Sequence, residues 1–177
     1  NQQATYAVTL DGRQMLLPSA LGFKADFGDF TQKLTITGSK NAHADHTYEM
    51  RQVKQSKMHY VAEQLTIDFE NAKGQKMSAE FSVSNNDVAF RYLIPRQKND
   101  NPKCAVIQSE STAFRLPDGT TTFITPQSSP MVGWERTKPS YEEGYSIDAD
   151  MTARSQYRQG YTFPCLFHAP DGWVLIS

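Results

Sequence analysis

Alternation of apolar and polar residues is the dominant pattern in this chain. Its clearest segment runs from Lys76 to Val83, where every second residue is apolar and the residues between are polar or charged. A period of two is typical of a strand with one buried face. The same alternation recurs at 62–70 and 87–95, and no window keeps a helical period of 3.6 residues. The pattern therefore predicts a chain made mainly of strands.

Turn residues separate these strands at short intervals. Three Asp-Gly pairs, Asp11–Gly12, Asp118–Gly119 and Asp171–Gly172, lie between apolar runs. Such a pair suits a two-residue hairpin turn in which both central residues have positive φ. Turn signals also separate 62–70, 76–84 and 87–95, which predicts an antiparallel meander. Further strands are predicted at 4–10, 13–17, 33–40, 46–53, 58–61, 104–109, 111–116, 121–125, 161–168 and 172–177.

Helix signals are weak, with single turns predicted at Pro18–Leu21 and Tyr141–Glu143. Many short, closely spaced strands predict an all-β fold, a large antiparallel β-sandwich. The chain ends inside an apolar strand, Gly172–Ser177, and an exposed edge of that kind invites aggregation. We therefore expect the natural gene product to continue after Ser177, with this chain as a truncated domain.

Composition narrows the function classes. The 177 residues carry 18 basic and 19 acidic side chains, a formal net charge of −1. That balance gives no long-range field for nucleic acid or an anionic membrane, and no apolar run is long enough to span a bilayer. The two cysteines, Cys104 and Cys165, are compatible with reduced core thiols or with a disulfide in an oxidising compartment.

One segment, Trp134–Tyr145, breaks the alternation and combines aromatic, acidic and basic side chains. Sugars bind to flat aromatic faces and to planar polar side chains, and long irregular loops often carry function. The segment therefore predicts a sugar-binding loop; the alternative is a surface loop whose aromatics cover the open end of the sandwich. Glu142 and Glu143 are not a catalytic pair, because a glycosidase needs two carboxyls that face each other across about 5 to 10 Å.

The histidines give no catalytic prediction. His43 and His46 flank Asp45, but no third ligand with zinc-like spacing follows, so we interpret them as solvated loop histidines. His168 is expected to form hydrogen bonds at a strand end. The sequence has no Gly-rich phosphate loop, no Gly-x-Ser-x-Gly elbow and no Cys-x-x-Cys.

Several segments together carry a resemblance to a known family. The segments are Leu17–Gly22, Val88–Pro95, Glu110–Phe114, Phe123–Pro126, Trp134–Tyr145, Gly160–Phe167 and Asp171–Ser177. In order and spacing they resemble the N-terminal domain of glycoside hydrolase family 97 over nearly the whole chain.

The resemblance implies an exo-acting α-glycosidase, an α-glucosidase or α-galactosidase. Family members have an N-terminal super-sandwich of the galactose-mutarotase type, a catalytic (β/α)8 barrel and a small C-terminal β-domain. The barrel carries the catalytic carboxylates, a calcium ion lies near the α-linked oligosaccharide substrate, and the family is typically periplasmic or secreted. We therefore expect no catalytic residue in this chain, because the resemblance does not extend to the barrel. We also expect no calcium, because the resemblance places the calcium-ligating glutamate of the domain just after the last strand. The resemblance also implies that the 126–145 loop helps form the rim of the substrate site, through Trp134, Arg136, Tyr141, Glu142 and Tyr145.

Three hypotheses of function follow. A domain that docks on its own catalytic barrel predicts an apolar patch on one face, larger than a few hundred Å². A free-standing carbohydrate-binding module predicts an aromatic platform and sugar binding by 1–177 alone. A sugar epimerase, the third, needs a positioned acid and base, and none of the four histidines has an evident carboxylate partner in the sequence.

Overall fold

The computed structural model describes residues 3–95, 105–127 and 143–177. These residues form strands without any helix, so the predicted all-β antiparallel fold is confirmed. No helix in the described ranges is long and apolar enough to cross a membrane. The strands are β1 Thr5–Leu10, β2 Arg13–Ala20, β3 Phe23–Ala25, β4 Gly28–Asp29, β5 Thr35–Glu49, β6 Lys57–Glu70, β7 Lys76–Val83, β8 Val88–Leu93, β9 Ile107–Glu110, β10 Thr121–Pro126, β11 Ser146–Asp150, β12 Tyr161–Ala169 and β13 Gly172–Ile176.

The chain divides into two compact units. The first unit comprises Asn1–Ala4 and Ala20–Thr112, and the second comprises Thr5–Ser19 and Ala113–Ser177. The first unit contains a four-stranded sheet, β5-β6-β7-β8, and a three-stranded sheet, β4-β3-β9. The second contains the four-stranded sheet β11-β10-β12-β13.

The core of the first unit is explained by strand register. Phe69 lies opposite Met77, and Ile67 opposite Ala79, so these side chains share one face of the four-stranded sheet. That face packs with residues of and after β3, including Phe30, which is completely buried. The predicted meander is confirmed as β6, β7 and β8.

Two pairs of predicted strands are in fact single long strands. The predicted 33–40 and 46–53 merge into β5, which begins at Thr35 and ends at Glu49, and 58–61 and 62–70 belong to β6; the two strands pair from Thr35↔Glu70 to Glu49↔Lys57. The polar stretch between the predicted pieces of β5 lacks an apolar face, but β6 supplies its backbone hydrogen bonds throughout. The side-chain pattern therefore did not show that β5 is continuous, because its continuity depends on hydrogen bonds to the neighbouring strand.

Other boundaries also differ from the prediction. The predicted strand 111–116 contributes only an isolated bridge between Leu17 and Arg115. The predicted helical turn at Pro18–Leu21 is wrong, since Pro18 to Ala20 end β2. The strands β3, β4 and β11 were not predicted; β3 and β4, with three and two residues, are too short for an alternation to show.

The Asp-Gly turns adopt different backbones. Asp11 and Gly12 both have positive φ, 50° and 78°, as the hairpin prediction requires. At the other two pairs only the glycine has positive φ, so the prediction holds there for one residue of each turn.

Candidate functional site

The four-stranded sheet of the second unit exposes an apolar row. Pairing places Ile147 of β11 opposite Phe123 of β10, Phe123 opposite Leu166 of β12, and Leu166 opposite Leu175 of β13. The alternation of β10 explains the sidedness, since Thr122, Ile124 and Pro126 are buried on the other face. Ile147 is 73% exposed and Leu175 is 63% exposed. We call these four residues the apolar row.

Aromatic side chains extend the apolar row along the strands. The imidazole of His168 stacks on the indole of Trp173, with ring centroids 4.2 Å apart and planes 7° apart. The Trp173 ring also lies 5.1 Å from the ring of Phe123. Since residues two apart on a strand share a face, Trp173 and His168 lie on the same side of the sheet as the apolar row.

A shallow apolar cavity of about 430 Å³ lies over the apolar row. The row's four residues line it together with Tyr145 and Pro164. Tyr145 directly precedes β11 and is 67% exposed. None of the six lining side chains is charged, so the cavity favours an apolar partner surface over an ionic ligand.

Polar groups border this face. The hydroxyl of Thr121 donates to the carboxylate of Asp148. At the end of β11, Oδ1 of Asp150 accepts hydrogen bonds from the hydroxyl and the backbone N–H of Thr152, and these bonds lower the pKa of that carboxyl. An apolar centre with a polar border is the usual anatomy of a protein–protein contact.

Of the predicted rim residues, the described part of the chain includes Tyr145, which joins the apolar cavity. Trp134, Arg136, Tyr141 and Glu142 lie outside the described residues, as does most of the turn predicted at Tyr141–Glu143. The sequence predicted three of the four strands of the apolar row, all except β11, but not the exposure of the row. Alternation shows that a strand has an apolar and a polar face, but it does not show which face the rest of the protein covers.

His43 and His46 are exposed, as the interpretation of solvated histidines requires, but they lie within β5 and not in a loop. The expectation that no histidine has a carboxylate partner is wrong. Nδ1 of His43 lies 2.7 Å from Oε1 of Glu63, and Nε2 of His59 lies 2.7 Å from Oδ1 of Asp45. Both partners come from the neighbouring strand of the β5–β6 hairpin, so sequence distance hid them.

These imidazole–carboxylate pairs do not form a reaction site. All four side chains are more than half exposed, and neither pair lines a cavity that the structure describes. The hydrogen bond from His59 lowers the pKa of Asp45. Within the described ranges, no group of three or more His, Cys, Asp or Glu could hold a metal ion.

The thiol of Cys165 points away from the apolar row. It is buried on the other face of β12 and donates to the carbonyl of Thr162 at 3.2 Å, and burial raises its pKa. Cys104 lies outside the described residues, so the alternatives of reduced thiols and a disulfide both stand.

Comparison with known proteins identifies the family. The model of the glycosyl-hydrolase 97 N-terminal family matches residues 1–177. A probable retaining alpha-galactosidase of Streptomyces bingchenggensis (strain BCW-1) is 26% identical over 120 residues, which are 68% of this chain and 18% of that protein.

Solved structures agree with this match. A crystal structure of a beta-arabinopyranosidase superposes with a TM-score of 0.91 at 49% identity, covering 99% of this chain and 28% of the other. A glycoside hydrolase family 97 enzyme from Pseudoalteromonas sp. strain K8, in complex with acarbose, superposes with a TM-score of 0.74 at 19% identity, covering 97% of this chain and 24% of the other. This chain thus spans less than a third of each of these relatives. It belongs to the glycosyl-hydrolase 97 N-terminal family, and its all-β fold is that of the N-terminal domain of family 97 enzymes.

Proposed function

We propose that this chain is the non-catalytic N-terminal domain of an exo-acting α-glycosidase and that it docks on the enzyme's catalytic (β/α)8 barrel. The observation that carries the proposal is the 49% identity with a beta-arabinopyranosidase over 99% of this chain, of which this chain covers only 28%. Neither the apolar cavity nor the groove around Arg91 is lined by two carboxyls, and the described residues hold no cluster of three or more His, Cys, Asp or Glu that could bind a metal. On this proposal, catalysis belongs to another part of the full-length protein.

The apolar row supports the docking role. Fully burying a side chain of the size of Leu or Ile contributes about 1.5 to 3 kcal/mol, and Ile147 and Leu175 are still mostly exposed in this chain. Contact with a barrel surface would remove both from water, together with part of Trp173. Exposed apolar rows of this kind are typical of protein contact surfaces.

Tyr145 connects docking with the predicted substrate rim. It lines the cavity over the apolar row and directly follows the segment that contains Trp134, Arg136, Tyr141 and Glu142. A barrel docked on the row would therefore contact Tyr145. We propose that these five residues border the substrate site, and that Tyr145→Ala in the full-length protein raises KM more than it lowers kcat.

The relatives narrow the proposed substrate. One is a probable alpha-galactosidase and another a beta-arabinopyranosidase. A β-L-arabinopyranoside has the ring configuration of an α-D-galactopyranoside and lacks only its hydroxymethyl group, so one site shape can accept both. We propose that the full-length protein removes terminal α-D-galactopyranosyl or β-L-arabinopyranosyl residues from oligosaccharides.

Calcium and location are further parts of the proposal. Calcium takes six to eight oxygen ligands, and the described residues of this chain do not fit it, because they contain no cluster of three or more suitable side chains. We expect a catalytic calcium to be held elsewhere in the full-length protein. We also propose a periplasmic or secreted enzyme.

The test is an assay of the full-length protein on three nitrophenyl glycosides: α-D-galactopyranoside, β-L-arabinopyranoside and α-D-glucopyranoside. Hydrolysis of either of the first two is expected, with activity lost in a chelator and restored by calcium. Cleavage of the glucoside alone would contradict the substrate proposal, and cleavage of none would contradict the α-glycosidase proposal. If a chelator leaves the activity unchanged, the proposal that the enzyme needs calcium is contradicted.

A further inference from the structure

A groove of about 250 Å³ lies on the sheet of the first unit. It belongs to the face opposite the one that carries Met77 and Ala79 into the core. Its floor follows one cross-strand row, in which Gln64 of β6 lies opposite Ser82 of β7, and Ser82 opposite Ala89 of β8. The side chains of Ser82 and Ala89 are short, whereas those of Tyr60 and Arg91 nearby are long. The short side chains therefore leave a depression in the surface of the sheet along this row.

Polar side chains in the groove are held in place by one another. Nε and Nη2 of Arg91 lie 2.8 and 2.7 Å from Oε1 of Glu80, on the next strand. Nε2 of Gln64 donates to the hydroxyl of Ser82 at 3.1 Å. A guanidinium carries five N–H donors and an amide has both donors and an acceptor. The two contacts therefore orient Arg91 and Gln64 while leaving hydrogen-bonding capacity on each.

Tyr60 supplies an aromatic side chain at the end of the groove. Its ring is half-buried and lies 5.3 Å from the ring of His46, its cross-strand partner on β5. Aromatic faces bind the C–H faces of pyranose rings, and planar amide and guanidinium groups match pairs of sugar hydroxyls. The groove contains both kinds of group.

We propose that this groove is a non-catalytic binding site for one neutral sugar residue of a glycan. Neutrality follows from Arg91 and Glu80, because each compensates the charge of the other and leaves no net charge for an ionic ligand. A cavity of about 250 Å³ lies just below the range of about 300 to 1,000 Å³ for drug-sized ligands, so it fits a single ring. With so few contacts, we expect a dissociation constant on the order of 1 mM. This site is separate from the proposed docking and catalysis.

The test is affinity electrophoresis of the full-length protein in native gels that contain arabinogalactan, a neutral polysaccharide. Tyr60→Ala is expected to weaken retention roughly three- to tenfold, the usual range for loss of one aromatic contact. Ala89→Tyr, on an edge strand, is expected to fill the groove and weaken retention as well. Both variants should keep the kcat/KM of the wild type on a small nitrophenyl glycoside.

Tyr48→Ala is the matched control, since Tyr48 lies on the same face of the same hairpin but outside the groove lining. Wild-type retention by the Tyr60 and Ala89 variants would overturn the proposal. Equal weakening by Tyr48→Ala, or no retention of the wild type at all, would do the same. Stronger retention by polygalacturonate than by arabinogalactan would exclude a neutral ligand. If the wild-type protein is retained by arabinogalactan but hydrolyses no nitrophenyl glycoside, the α-glycosidase proposal is contradicted and the groove proposal stands.

Discussion

The two four-stranded sheets both bury an apolar face but differ in the face that they expose. In the first unit the covered face is tightly buried at Met77 and Ala79, which are 1% and 0% exposed, and the open face around Gln64 and Arg91 is polar. In the second unit the covered face includes Ile124 at 6% exposure, and the open face carries the apolar row. The first sheet exposes apolar side chains as well, such as Ile36 at 64%, but its open face carries the polar groove, whereas the open face of the second sheet carries the apolar row.

The buried polar groups extend this contrast. Among the described residues the second unit buries four hydroxyl side chains, Ser19, Thr120, Thr122 and Ser155, whereas the first buries Asn71. Each is satisfied by a hydrogen bond to the backbone. Since a satisfied hydrogen bond contributes only about 1 kcal/mol net, such a core stabilises less than one filled with Phe and Met. We infer that the first unit is stabilised mainly by its own core, and that the second gains more from a partner on its apolar row.

The largest expected effect tests the core of the first unit. In Gly22→Ala the new Cβ would lie 2.3 Å from the carbonyl oxygen of Phe30, at a φ of +136°. Backbone clash and strain together should lower the free energy of unfolding by about 3 kcal/mol or more. Hydrogen exchange of the β7 amides measures this change.

Gly12→Ala in the second unit is the control for Gly22→Ala. Gly12 has a φ of +78° with nothing within 4 Å of a new Cβ, so strain alone should cost about 1 kcal/mol. Equal losses from the two variants would contradict the inference that close packing at Phe30 decides the difference.

The next effect tests the apolar row. Leu175→Asp should lower the stability of the full-length protein by about 2 kcal/mol, because docking would bury a carboxylate in place of a leucine. Ala42→Asp is the matched change on the open face of the first sheet, where we expect a change within about 0.5 kcal/mol. Urea denaturation of both full-length variants checks this. If Leu175→Asp is as mild as Ala42→Asp, the row faces water in the full-length protein and docking uses another surface.

A smaller effect concerns the β5–β6 hairpin of the first unit. In His59→Ala the pKa of Asp45 should rise toward its ordinary value, because the hydrogen bond from Nε2 is the main cause of its lowering. A carboxyl whose folded pKa is lowered contributes stability above its unfolded pKa of about 3.9 and loses it as pH falls through the folded pKa. The pH dependence therefore lies in the acid range, and carboxyl-carbon NMR titration measures it. An unchanged pKa of Asp45 would show that the pair is not formed in solution.

Sequence reasoning recovered the all-β fold and the meander because alternation is a property of single strands, as at Met77 to Val83. It divided β5 at its polar centre because the partner strand, and not the local pattern, holds that segment together. It missed the pairing of His43 with Glu63, which are twenty residues apart and meet only in the register of the hairpin. The apolar row escaped prediction for the same reason: its four residues come from four strands.

The smallest expected effect concerns two similar turns, one in each unit. Oδ1 of Asp29 accepts from the backbone N–H and the hydroxyl of Thr31, as Oδ1 of Asp150 does from Thr152. In both turns the side-chain hydrogen bond is the main cause of the lowered pKa. Thr31→Val and Thr152→Val should therefore each raise the pKa of the preceding carboxyl, but not fully, because the backbone bond remains.

Salt distinguishes the two turns. The charges of Lys24 and Lys73 add to the lowering at Asp29, whereas only hydrogen bonds lower the pKa of Asp150. Raising the ionic strength to about 1 M, where the Debye length is about 3 Å, should raise the pKa of Asp29 in the wild type and leave that of Asp150 nearly unchanged. Carboxyl-carbon NMR of the two aspartates measures this difference. Equal salt shifts would mean that the lysines do not act on Asp29, and the two turns would then be electrostatically equivalent although their units are built differently.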